Sequence, residues 1–227
     1  MVQKERHLLL VFPHPDDESF GKAGTVALFT KAGTPTTLIC GTLGEMGRNM
    51  GKPAFATREN LPRIRKVELE DACRHLGIGD LRLLGLRDKT VEFEDPEAVA
   101  DQIEAVIREV NPSIVMTYYP KHGVHPDHDA LSEATVRAVK RIAKDERPVV
   151  YGSAVTHNAQ EVLGPPDFVF DVSEVYETKM AAMRAHKSQY ESMFSKMEEQ
   201  MAEDPKIKEQ IEVGMKREVF WIYPTED

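Results

Sequence analysis

Apolar residues along this chain fall into short unbroken runs, and between the runs lie longer stretches in which apolar positions recur at helical spacing. The runs are HLLLVF (7–12), TTLICG (36–41), LRLLG (81–85), SIVMTYY (113–119), VVYGS (149–153) and DFVFDV (167–172). Their length and continuity predict strands of a mostly parallel sheet, because such strands are covered on both faces and lose the alternation of a half-exposed strand. The stretches between them predict helices near 20–31, 59–76, 96–109, 126–143 and 174–194. Strand and helix alternate without an internal repeat, so the expected class is α/β, a sheet flanked by helices. Residues 195–216 stand apart: they are charged, broken by Pro205 and Gly214, and continue a spacing of four set by Met193, Met197 and Met201. They read as a helical excursion whose methionine stripe packs on the domain, with a subunit contact as the other use. A chain of 227 residues can bury one sizeable core and is short for two, so residues 1–227 are expected to form a single domain.

Composition narrows the class of function. Lys and Arg number 29 against 38 Asp and Glu, giving a formal net charge of -9 and a sequence pI near 5.4. Duplex or polyphosphate binding rests on clustered cations, so no nucleic-acid partner is expected. No apolar run approaches a membrane span, and the apolar part of MVQKERHLLLVF leads into charge rather than a small-residue cleavage site. The expectation is a soluble, cytoplasmic protein without membrane association. Cys40 and Cys73 sit alone in apolar contexts, without the spacing of a disulfide framework or a thiolate zinc site, and are expected in the core.

The candidate chemistry lies where strands end. LLLVFPHPDDESFG (8–21) passes from a buried strand straight into a proline-bracketed His14 and three acids, Asp16, Asp17 and Glu18. Two carboxylates about 5 Å apart at an effective dielectric near 20 repel by about 3 kcal/mol, so such a cluster calls for a cation or for water. YYPKHGVHPDHD (118–129) follows another strand, and Pro126 opens a helix with Asp127 and Asp129 in its first turn. Ligands of open α/β sheets collect beyond the carboxyl ends of the strands, so both clusters are expected to face one crevice. His14, Asp17 and His128 make a set of two imidazoles and one carboxylate with open positions, as catalytic zinc sites do. Asp16 then remains for proton transfer, and His125 for electrophilic donation. Spacing does not choose the metal: the same set holds non-haem iron, so Zn2+ is expected with Fe2+ or another divalent ion as the alternative. An iron oxygenase and a non-catalytic metal-binding domain are the rivals from other classes, and a hydrogen-bonded turn with a helix cap would need no metal at all. No cosubstrate site for an oxygenase can be located, and no Gly-x-Gly-x-x-Gly follows the first strand.

Five stretches taken together resemble one family. PHPDDE (13–18), HPDH (125–128), TLGEMG (42–47), RKVELEDACRHLG (65–77) and KMAAMRAHKSQ (179–189) look like the PIG-L/LmbE-like zinc N-acetylglucosaminyl deacetylases, and within them the bacillithiol biosynthesis deacetylases. The resemblance extends over most of the chain. It implies a Rossmann-like α/β fold, zinc held by His14, Asp17 and His128, Asp16 as general base, and His125 stabilising the oxyanion with Asp127 orienting it. It also implies that Glu45, Arg65 and Asp88 line a sugar pocket. The implied reaction removes acetyl from an N-acetylglucosamine conjugate, a small-molecule amino-sugar, with N-acetylglucosaminyl malate as the expected substrate. A bacillithiol S-conjugate amidase or another N-acetyl-sugar deacetylase is the alternative within the same chemistry, and a homo-oligomer is expected. Malate carboxylates would need cations, for which Arg48, Lys52, Arg65 and Lys121 are the candidates. Arg48 and Lys52 lie in a Gly- and Met-rich stretch expected to edge the crevice and able to close over a ligand. Some family members carry a tyrosine two positions before the first histidine of HPDH, where this chain has Gly123; His122 or a residue from a mobile loop is the expected substitute. His186, in the HKSQ signature, receives no role.

Overall fold

A computed structural model describes residues 2–226. Five strands run in parallel, β1 (Leu8–Phe12), β2 (Thr36–Cys40), β3 (Asp80–Leu83), β4 (Ile114–Tyr118) and β5 (Val149–Ser153). Two more, β6 (Phe168–Asp171) and β7 (Arg217–Ile222), extend the edge antiparallel, and the sheet order is β3-β2-β1-β4-β5-β7-β6. The helices are α1 (Ala23–Lys31), α2 (Leu61–Leu76), α3 (Pro96–Val110), α4 (Pro126–Lys140), α5 (Ala159–Leu163), α6 (Tyr176–Ala185), α7 (Lys187–Glu203) and α8 (Pro205–Met215).

The pleat of β1 explains the layering. Leu8, Leu10 and Phe12 join a core made with α1, α2 and α6, while Leu9 and Val11 point the other way into a core made with α3 and α4. With both faces covered, every residue of β1, β2 and β4 is buried, which is why these runs are uninterrupted in the sequence. Cys40 and Cys73 are buried, unpaired members of the first core. Among the described residues no helix is long and apolar enough to cross a membrane. The strand order reverses between β1 and β4, and the loops leaving their carboxyl ends face each other there.

Three elements depart from the expected pattern. β7 is not among the expected strands, although VFWIY (219–223) is an apolar run like theirs; Arg217 and the buried Glu218 lead into it, and it pairs antiparallel with β5 and β6. The expected helix 174–194 is two helices, α6 and α7, that meet at His186 (φ -81°, ψ 56°), since its helical periodicity runs on across the break. The charged excursion is the end of α7 followed by α8, which Asp204 caps by accepting from the Lys206 N–H at 2.8 Å and which buries no side chain. Of the methionine stripe, Met197 packs beside Phe194, whereas Met193 is 41% exposed.

Candidate active site

The turn after β1 and the first turn of α4 bring His14, Asp17 and His128 together. His14 Nδ1 lies 3.2 Å from His128 Nε2 and 3.3 Å from Asp17 Oδ2, and Asp17 Oδ1 is 3.5 Å from His128 Nε2. The far nitrogen of each ring is already engaged. His128 Nδ1 bonds the Gly123 carbonyl at 2.7 Å, and His14 Nε2 bonds Asp127 Oδ2 at 3.1 Å with Asp88 Oδ1 at 3.2 Å. Because a carbonyl and a carboxylate can only accept, those outer nitrogens carry protons, and the inner two, 3.2 Å apart, need a proton or a cation between them. Two lone pairs and a carboxylate converging on one point require a positive charge between them, and the donor set suits a divalent ion. Without an ion that charge is a proton: burial lowers the His14 pKa, but hydrogen bonds to Asp127, Asp17 and Asp88 outweigh it and hold it well above the ordinary value. Burial pushes Asp17 up, but the His128 charge and the His14 hydrogen bond outweigh it and hold the carboxyl far below the usual range.

A second group, His14, Asp88, His125 and Asp127, surrounds the other edge of the His14 ring. Its carboxylates are occupied: Asp127 accepts the backbone N–H of Lys89 at 2.7 Å and of Val91 at 3.2 Å, and Asp88 accepts that of Met46 at 2.8 Å. These acids therefore orient His14. The resemblance implies that Asp127 orients His125; here the Asp127 carboxylate goes to His14, and what reaches His125 is the Asp127 backbone N–H, 3.1 Å from Nδ1. That bond leaves the proton of His125 on Nε2.

Asp16 is 8% exposed and has φ 117°, outside the common regions for an L residue. Its Oδ2 accepts from Arg65 Nη2 at 3.0 Å, and Oδ1 has no hydrogen-bond partner among the described residues. Burial, opposed by Arg65 and helped by the charge of Asp17, raises its pKa to about 6. Arg65 comes from α2 and also reaches the carbonyls of Gly44 (3.0 Å) and Pro15 (2.5 Å). A Cβ on Gly44 would stand 1.8 Å from Arg65 Nη1, so glycine there is what admits the guanidinium.

These groups line a cavity of about 300 Å³ bounded by His14, Asp16, Asp17, Arg65, Asp88, His125 and His128, with Met46, Gly47, Arg48, Lys89 and Tyr190 completing the wall. The structure thus brings the metal-ligand candidates, Asp16, His125, Asp88, Arg65 and Arg48 to one place. Asp127 is fully buried directly behind it. Glu45 stands one layer out, its carboxylate accepting the Asp88 N–H at 3.1 Å. Arg65 is no free cation for a substrate acid, because it is 4% exposed and committed to Asp16 and two carbonyls. Lys52 is a correction: the Gly- and Met-rich loop carries it out to α7, where its N–H meets Glu191 at 2.8 Å and its ammonium Glu199 at 3.8 Å. Lys121 and His122 face a different groove with Tyr119 and Tyr223, and His122 is bonded to Thr156 at 2.7 Å. Gly123 is required by packing, since a Cβ there would lie 2.5 Å from the Cβ of His128.

The PIG-L family model, described as GlcNAc-PI de-N-acetylase, matches residues 9–139. The chain belongs to this family. The matched span holds every strand-end residue from His14 to His128 but neither His186 nor Tyr190. A Bacillus cereus protein named probable N-acetyl-alpha-D-glucosaminyl L-malate deacetylase 2 is 55% identical over 225 residues, 98% of this chain and 100% of the relative. Among solved structures, N,N'-diacetylchitobiose deacetylase from Pyrococcus horikoshii aligns with a TM-score of 0.72 at 23% identity, covering 97% of this chain and 85% of that one. The hydratase GalB from Pseudomonas putida shares the fold at a TM-score of 0.69 and 19% identity over 95% of this chain and 93% of that one. The PIG-L fold therefore hosts more than one reaction, and function has to be argued from the site.

Residues that sequence reasoning missed in this PIG-L chain lie mostly behind the ligands. Tyr118 donates to Asp17 Oδ1 at 2.5 Å and stacks on His128 with centroids 4.1 Å apart. Lys22, 1% exposed, sets its ammonium 4.2 Å from the Tyr118 ring and 2.9 Å from the Phe20 carbonyl. Tyr190 stacks on Phe20 (3.7 Å) and lines the cavity, its phenol pKa raised by burial and by Asp16 and Asp17. Lys89 adjoins Asp88, and that adjacency was the one available signal for it.

Proposed function

We propose that this chain is a zinc-dependent N-deacetylase that hydrolyses the acetamide of an N-acetylglucosamine conjugate, with N-acetylglucosaminyl malate, the substrate in the name of its Bacillus cereus relative, as the physiological one. The observation that carries this reading is the convergence of His14 Nδ1, His128 Nε2 and the Asp17 carboxylate on one point, one residue from Asp16, which borders the same cavity. His14, Asp17 and His128 would hold the ion. When bound, zinc supplies Lewis acidity and lowers the pKa of a water from about 16 towards about 7.

The chain's own groups account for the rest of the reaction. Asp16, with a pKa of about 6, takes a proton from the water that attacks the acetamide carbon and returns it to the departing nitrogen. His125 donates its Nε2 proton in a hydrogen bond to the carbonyl oxygen as negative charge gathers there; loss of one such donor typically costs about 2.7 to 4 kcal/mol. The C–N bond breaks, and acetate and a free amino-sugar leave. Arg48 and Lys89 at the cavity wall are the cations available to the malate carboxylates.

Asp16→Asn and Asp17→Asn test the reading together. Asp16→Asn is expected to keep zinc in elemental analysis while turnover, followed by mass-spectrometric detection of acetate loss, falls by about 100-fold or more. Asp17→Asn, like His14→Ala and His128→Ala, is expected to lose the metal. The reverse pattern between the two aspartates, or full occupancy in both histidine variants, overturns the assignment.

A further inference from the structure

His186 ends α6 and is 0% exposed. Its Nε2 lies 2.7 Å from Glu18 Oε1, and its Nδ1 has no partner among the described residues. The other oxygen of Glu18 accepts the backbone N–H of Asp16 at 2.9 Å, and the Ser19 hydroxyl donates to Oε1 at 2.5 Å. Glu18 therefore bridges His186, more than 160 positions away in the chain, to the residue held at φ 117°. The same segment is tied down twice more. Ser188 gives its N–H and its hydroxyl to the two oxygens of Glu68 at 2.7 and 2.6 Å, and Glu68 stands on α2 three residues after Arg65, which grips the Asp16 carboxylate. Neither Glu18 nor His186 lines the cavity.

We infer that the buried Glu18–His186 pair is a positioning device for Asp16: it holds the strained turn that aims the Asp16 carboxylate into the cavity. This rests on Asp16 being the base. Glu18 Oε2 fixes the Asp16 N–H, the backbone N–H groups of Ser19 and Phe20 fix its carbonyl at 2.9 and 3.1 Å, and Arg65 fixes its side chain. Without His186, the Glu18 carboxylate loses its one ring donor in a buried site and is free to turn away from Asp16.

Paired substitutions distinguish positioning from packing. The amide of His186→Gln places an N–H near the position of Nε2, whereas the shorter His186→Asn falls short of Glu18. His186→Asn is expected to lose about 100-fold in kcat, as a misplacement of about 1 Å does, with KM, zinc occupancy and a cooperative thermal transition retained. His186→Gln is expected to recover to within about tenfold of wild type. Equal losses in the two variants, or a loss carried by KM or by zinc occupancy, overturn the inference. Should neither His186 variant fold, Glu18→Gln, which replaces one acceptor by a donor, must still lower kcat by about tenfold or more with zinc retained; a wild-type kcat there overturns it. Asp16→Asn is measured alongside, and full turnover in that variant overturns the base assignment itself and the positioning role with it.

Discussion

Tyr118 shows how much of this site is settled one residue at a time. Its hydroxyl grips Asp17, its ring covers His128, and the buried Lys22 ammonium sits against its other surroundings. Tyr118→Phe keeps the stack and removes the donor, so zinc affinity measured against a competing chelator is expected to fall about 10- to 100-fold, the usual effect of losing an outer partner of a ligand. An unchanged affinity would show that the stack alone orients these ligands. His14 makes a second prediction. Its pKa is held above the ordinary value, so the ion-free site carries a proton that zinc must displace. Lower pH favours the proton, and zinc affinity is expected to drop at least about tenfold from pH 7.5 to 5.5; a flat profile contradicts a proton and zinc competing for this site. The cluster of His14, Asp17 and His128 was legible because His14 and Asp17 share one turn and His128 opens a helix after another strand. Tyr118 was not, since in sequence it is only the last residue of an apolar run, and its partner lies 101 positions away.

At the scale of elements, β7 ties the sheet edge to the helix that follows the site turn. The first N–H groups of α1 have no side-chain cap of their own; Glu218 on β7 accepts from Gly24 and Thr25 at 3.1 and 2.7 Å and pairs with Lys179 of α6 at 2.8 Å. Glu218 and Lys179 are both buried, and breaking such a pair from one side leaves an uncompensated charge. Glu218→Ala is therefore expected to cost about 3 to 5 kcal/mol in urea unfolding, while Val213→Ser on the unburied α8 should stay within about 0.5 kcal/mol. A small loss for Glu218→Ala would mean that α1 holds its place without the strand. The parallel strands and the helices between them were readable because each is coded by neighbours a few residues apart. β7 has a local signal as well, in VFWIY (219–223), whereas the break at His186 has none, because its buried partner Glu18 lies far away in the chain.

For the whole molecule the question is which conjugate the cavity selects. The chain is acidic overall, yet Arg48 and Lys89 sit on the cavity wall with no ion pair to either side chain among the described residues. A charge-assisted contact contributes about 1.5 to 3 kcal/mol when well formed and less when exposed, against about 1.4 kcal/mol per tenfold. N-acetylglucosaminyl malate is accordingly expected to exceed an uncharged N-acetylglucosamine glycoside by at least about tenfold in kcat/KM. Raised salt, Arg48→Gln or Lys89→Gln should shrink that preference, whereas Lys52→Gln should leave it. Equal efficiency on both sugars points to a general N-acetyl-sugar deacetylase. The sequence by itself determined the layered α/β class, the crevice and the meeting of the two His/Asp clusters there, because periodicity, turn chemistry and the strand-end rule act within short windows or follow from strand alternation. Only the tertiary structure decided that Lys89 and not Lys52 lines the cavity, that Asp127 serves His14, and that Glu18 meets His186. Those contacts arise when the sheet closes and distant loops converge, and no spacing along the chain encodes the distance between them.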